Sequence, residues 1–248
     1  MRFRSLRTRL VVAIGGLVIA LTVATLTFVG PFANQAVNAR VSADLVRSRD
    51  TLTARHAARY DRLELVSRLL ASFPDLLALL GTDAATIRDF LTDYRERNAR
   101  NELLVVLGPQ GQVIARSDTF APLTLPEART RWLEPALGGQ PARGVIEVDG
   151  RPHHLVLVAA EAGGTVFGFV GAGAPIDDRW AAALRDASGK EIAVLTPSAL
   201  AGTTLAPGRA PWAASPAAPR TPDGATAAIA LGGERFEVLT LPDPYGDD

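Results

Sequence analysis

Seven residues have types and spacings suited to gripping a small ligand: Arg116, Asp118, Arg129, Arg131, Trp132, His153 and His154. Arg116, Ser117 and Asp118 leave an apolar run, and Arg129, Arg131 and Trp132 follow in a short helix-like stretch. A guanidinium can clamp a carboxylate bidentately, and an indole can wall a pocket while donating one hydrogen bond. The same helix would serve equally as a salt-bridged surface helix with one buried Trp, so both readings stay open. His153 and His154 are adjacent on a strand and point to opposite faces, so they cannot both line one pocket or chelate one metal in regular geometry. One can face the ligand, and either can be a sheet-face His hydrogen-bonded locally. His56 falls on a long helical stretch, where a solvated side chain is expected.

Catalysis has less to build on. No Ser stands in a G-x-S-x-G elbow, and "GFVGAGAPI" lacks the G-x-G-x-x-G spacing of a phosphate loop. Asp177 and Asp178 before "RWAAAL" read as a helix N-cap rather than as acid and base. The chain has no Cys, which removes thiolate nucleophiles and Cys zinc sites, and its three His are not at metal spacing. No catalytic residue, metal or cofactor is expected. Lys plus Arg and Asp plus Glu both number 26, so no overall field attracts nucleic acid.

The elements that must position these residues follow from periodicity. Leu10–Val29 is free of charge for twenty residues, and at ~1.5 Å per residue it reaches ~30 Å, the thickness of a bilayer core. Arg2, Arg4, Arg7 and Arg9 precede it without an acidic residue, which puts the N-terminus in the cytoplasm and the rest outside. The competing reading is a cleaved signal peptide with "VNA" at Val37–Ala39 as its site. Gly16, Ala20 and Ala24 recur every four residues and would allow close approach of two such helices.

Ala33–Leu80 contains no Gly and a single Pro, Pro74, so one long helix with a late kink is expected. Leu63, Val66, Leu70, Phe73, Leu77 and Leu80 form its apolar stripe, and Val41–Tyr60 is a more polar half suited to pairing with a second copy. Gly81 ends that helix, Thr82 caps the next, and Ile87, Phe90, Leu91 and Tyr94 share one face. "ELLVVL", "GPQG" and "QVIARSD" predict a hairpin, and a short helix is expected at Leu125–Leu137. Asp149–Gly150 and Gly163–Gly164 are hairpin turns between three further strands. The fold class is therefore α+β, an antiparallel sheet with helices.

This order of elements resembles the Cache family, the PAS-like extracytoplasmic sensors of bacterial chemoreceptors, histidine kinases and nucleotide cyclases. The likeness rests on the long helix after the apolar run, on "ELLVVLGPQGQVIARSD", and on "RPHHLVLVAA" and "GTVFGFVGAGAPI". "DDRWAAALRDASGKEIAVLT" looks like the start of the smaller membrane-proximal module of double-Cache sensors, with "ATAAIALGGERFEVLTLPD" as its closing hairpin and Gly232–Gly233 at the turn. The resemblance implies a cytoplasmic N-terminus at 1–9, a transmembrane helix at 10–30 and a stalk helix at 31–80. A membrane-distal module at 81–175 and a membrane-proximal one at 176–248, with a Pro/Ala-rich loop at 206–225, complete the division.

It further implies a small-molecule ligand, a homodimer through stalk and spanning helix, and residence in the inner membrane with the bulk periplasmic. Such receptors continue into a second spanning helix and an output domain, so the chain is expected to be a fragment or a truncated reading frame, with a natural single-anchor protein as the alternative. The motif of amino-acid-binding members is met at Trp132 and Ala136 and departs at Thr130 and Leu133, which leaves a carboxylate or another metabolite open. A membrane-tethered scaffold and a secreted solute-binding protein are the competing functions.

Overall fold

The computed structural model describes residues 6–98, 102–119, 123, 125, 128–196, 200–207, 226–231 and 234–241. Helix α1 (Leu6–Ala71) is continuous over 66 residues, with Pro31 inside its range. It ends earlier than the single helix expected from Ala33 to Leu80. A residue before proline is driven out of the helical region, and Phe73 accordingly takes an extended conformation (φ −71°, ψ 119°) with Pro74 opening a new helix, α2 (Pro74–Leu79).

The apolar stripe is thus cut in two. Leu63 and Leu70 are buried on α1, whereas Phe73 turns to Tyr94 and Phe90, with ring centroids 5.6 and 6.5 Å away. Helix α3 (Ala84–Asn98) follows, and its cap is Asp83 rather than Thr82: Asp83 Oδ1 accepts from the amides of Ala85 and Thr86, both at 3.0 Å. These bonds and the Thr86 hydroxyl hold the Asp83 carboxyl below the ordinary carboxylate range. Ile87 and Leu91 are buried on the expected face, with Phe90 and Tyr94 packed beside them.

Strands β1 (Leu103–Leu107), β2 (Val113–Arg116), β3 (Ala142–Val148), β4 (Arg151–Ala162) and β5 (Thr165–Pro175) form one antiparallel sheet in the order β2-β1-β5-β4-β3. The turns at Asp149–Gly150 and Gly163–Gly164 have positive φ at both positions, the geometry whose twist matches that of paired strands. The expected short helix starts later than Leu125. A π-helical turn (Ala128–Leu133) leads into α4 (Glu134–Leu137), where Pro135 has no amide to close the usual helical bond.

Each face of the sheet buries its own core. On one face α1, α2 and α3 bring Tyr60, Leu63, Leu76, Ile87 and Leu91 onto Leu104, Val106, Val156 and Val170. On the other, Leu123, Leu125, Trp132 and Leu133 cover Leu103, Val105, Leu155 and Phe169. Ser67 pins α1 to the first face. The Ala172 amide donates to Ser67 Oγ (2.9 Å), and that hydroxyl is shared between the carbonyls of Leu63 (2.9 Å) and Val156 (3.1 Å).

After β5 come α5 (Asp178–Ser188), a two-stranded pair β6 (Ala193–Leu195) and β7 (Leu200–Thr203), and a separate pair β8 (Thr226–Leu231) and β9 (Glu234–Leu239). Asp177 caps α5 by accepting from the Trp180 amide at 3.0 Å. Gly232–Gly233 and positions 208–225 of the Pro/Ala-rich loop lie outside the described residues. Among the described residues no helix is long and apolar enough to cross a membrane. Within Leu10–Val29 only side chains 14–23 are described, and they are exposed.

Candidate ligand-binding face

The face covered by the π-helical turn gathers most of the candidate residues. Register places them: Val105 lies opposite Arg116, Gly144 opposite Leu155 and Ile146 opposite His153, and Val105, Leu155 and Ile146 all belong to the core of this face. Paired residues share a face, so Arg116 and His153 are on it too.

Arg116 is almost wholly buried. Its guanidinium meets both oxygens of Asp118 (3.0 and 2.9 Å) and one oxygen of Asp149 (3.0 Å). Burial opposes the charge, but the bonds to Asp118 and Asp149 overcome it and raise the Arg116 pKa above its ordinary value. Strands β2 and β3 are opposite edges of a five-stranded sheet, which a flat sheet would hold ~19 Å apart at ~4.8 Å per strand. The Arg116–Asp149 contact therefore requires the β3–β4 turn to fold over the face, closing one end of it. His153 lies beside this closure. Its Nδ1 is 2.9 Å from the Arg151 carbonyl, and desolvation, partly offset by that bond and by Asp118, lowers its pKa.

One step along β3, the absence of a side chain at Gly144 makes room for the cover. A Cβ there would stand 3.0 Å from both Arg131 Nη2 and the tip of the Trp132 ring. Trp132 is fully buried, Arg131 lies 5.7 Å from its ring centroid, and its indole N–H has no hydrogen-bond partner among the described residues. A buried donor without an acceptor costs about 1–3 kcal/mol, which a ligand oxygen would recover. Gly144 was not among the candidates; a glycine inside a strand, away from any turn, is the sequence signal that marks such close approach.

Two candidates are not brought to this face. Arg129 is 89% exposed and lies 3.9 Å from Glu134. His154 is opposite Val145 and Ala174 on the α1 side, buried among His56, Tyr60 and Trp180. His56 was expected in solvent and instead packs in that group, because α1 lies against the sheet at this level.

A β2-β1-β5-β4-β3 antiparallel sheet with a long helix on one face and a helical cover on the other is a PAS-like α+β arrangement. No protein-family model and no curated protein matches the chain. Solved structures do. The chain is similar to the ligand-binding domain of the Campylobacter jejuni chemoreceptor Tlp3 in complex with L-norvaline (TM-score 0.54, 15% identity, 87% of this chain and 91% of that one). It is likewise similar to the Tlp3 sensory domain with isoleucine bound (0.53, 14%, 87% and 93%) and to the sensor domain of the Vibrio cholerae histidine kinase DctB (0.51, 12%, 69% and 68%).

Proposed function

We propose that the chain is the extracytoplasmic ligand-sensing region of a membrane-bound signal transduction receptor, non-catalytic in itself. The kinase, nucleotide cyclase and chemoreceptor types are the outputs this reading allows. The buried, unpartnered indole N–H of Trp132 beneath a helical cover carries the reading, since it is a donor that the protein's own described groups leave to another molecule. The fold shared with a kinase sensor and a chemoreceptor ligand-binding domain supports it. Leu10–Val29 acts as the membrane anchor, residues 81–175 and 176–248 act as distal and proximal modules, and two copies pair through the stalk.

The ligand is a small molecule bearing a carboxylate. Arg131 lies over Gly144 beside Trp132 and supplies the positive group, while Arg116 is occupied by Asp118 and Asp149 and shapes the end of the site. Binding at this face would favour one arrangement of cover and sheet, and only that difference in affinity can move α1.

Thermal-shift titration of the full chain in detergent against amino acids and small carboxylates tests this. At 100 times its Kd a ligand adds about 2.7 kcal/mol of stability. That gain should vanish in Trp132→Phe and Arg131→Ala and survive in Arg129→Ala. The complete burial of Trp132, Leu155 and Phe169 favours a second reading, a scaffold whose sheet is filled by its own side chains. No shift with any compound, or equal shifts in all three variants, decides for the scaffold.

A further inference from the structure

On the face opposite the proposed ligand site, four elements meet in a buried aromatic cluster. His56 and Tyr60 come from α1, His154 from β4 and Trp180 from α5, with Pro175 closing the end of β5. The His56 ring lies 4.8 Å from His154, 5.4 Å from Tyr60 and 6.1 Å from Trp180, and His154 lies 5.1 Å from Tyr60 and 5.9 Å from Trp180. Tyr60 and His154 are buried almost completely, and Trp180 is 9% exposed. Arg59 adds a cation: its guanidinium sits 4.1 Å over the Trp180 ring and donates to the Pro175 carbonyl. This is where the second module is fastened to the long helix. Trp180 is also part of the core that α5 makes with Leu52 of α1 and with Val194 and Ala201 of the β6–β7 pair.

We propose that this joint is a proton-binding site, and that protonation of the His56–His154 pair loosens the hold of α5 on α1. Imidazole is the side chain whose ordinary range lies within physiological pH, and here two of the three histidines in the chain touch each other. The charges around them do not welcome another cation. Arg59 already places one in the cluster, and desolvation lowers its pKa to about 10 despite the attraction of Asp177. The other charges acting on Arg59 are Glu102, beside β1, and Arg62, on α1 itself, which pair with each other at 2.8 Å. Asp177 accepts the Trp180 amide, Asp178 accepts the Thr203 amide, and on β3 Arg143 is held by Asp61 and Glu64. Arg55, Arg151 and Arg179 are exposed at the margins.

A proton on either imidazole thus adds net positive charge beside a half-buried guanidinium. Trp180 offers little relief, because Arg59 already occupies its π face. The cluster relaxes by separating, and α5 leaves α1. This response stands independently of any ligand on the other face.

The chain contains three Trp, so W132F/W212F leaves Trp180 as the only indole. In the full chain in detergent, Trp180 fluorescence should change between about pH 7.5 and 5.5. The chain has no Cys, so nitroxides on introduced R49C and D186C report the α1–α5 separation, which should lengthen or broaden from pH 7.5 to 5.5. Both changes should be lost in H56Q/H154Q and persist in H153Q, whose site lies on the opposite face. A flat pH response without His substitution overturns the proposal without any need for the variants to fold. A step that survives in H56Q/H154Q, or that disappears in H153Q alone, overturns it equally.

Discussion

Arg116 shows how one side chain can be structural and still shape a site. Its neutral replacement leaves Asp118 and Asp149 only partly covered by protein, where water can solvate them. Arg116→Met should therefore cost about 1–2 kcal/mol, whereas D118N/D149N, which removes the carboxylates of Asp118 and Asp149 from a buried guanidinium, should cost about 3 kcal/mol or more. Urea denaturation of both variants checks the order. His153 makes a pH prediction at the same scale. Desolvation lowers its folded pKa, so the unfolded chain takes up the proton first, and stability falls as pH drops below the ordinary imidazole value of about 6.5. Comparing H153Q with the parent chain isolates this contribution: the stability profile of the variant should be flatter below that pH.

At the scale of elements, two strand glycines separate tight packing from tolerant packing. A Cβ on Gly168 would stand 2.4 Å from the backbone oxygen of Leu107 on β1, which cannot move without breaking the ladder. On Gly144 it would meet the side-chain tips of Arg131 and Trp132 at 3.0 Å. Gly168→Ala should destabilise by more than about 2 kcal/mol, and Gly144→Ala by less while displacing the cover. Thermal melts rank the two, and near-ultraviolet circular dichroism of the indole reads the second effect. The hairpins and their turns were legible in the sequence because alternation and Asp-Gly or Gly-Gly pairs are local signals. The end of α1 was less so: Pro74 was visible, but whether it kinked the helix or broke it depended on where Phe73 found partners, and those lie on α3.

For the whole molecule, α1 is the common partner of the five-stranded sheet and of α5. It packs on β4 and β5, holds α5 through the Arg59–Trp180 contact and an Asp44–Lys190 ion pair, and extends for ~100 Å at ~1.5 Å per residue. A rearrangement on either side of the sheet can reach the N-terminal run along it. The proposed membrane placement predicts that a single Cys introduced at Asp186 reacts with a membrane-impermeant maleimide in intact cells of a Gram-negative host, while one at Ser5 reacts only after lysis. The reverse pattern would remove the receptor reading.

What this sequence determined alone is whatever depends on neighbours along the chain: the α+β class, the apolar N-terminal run, the positive-φ turns, the Asp177 cap, and the opposite faces of His153 and His154. Tertiary structure decided which distant residues meet. It turned the β3–β4 turn onto Arg116, seated Trp132 over Gly144, drew Ser67 into the sheet's backbone bonding, and put His56 against His154 rather than in water. Local pattern fixes which way a side chain points. Its partner is set by how far the sheet curls and where the long helix crosses it, and both follow from packing summed over the whole core.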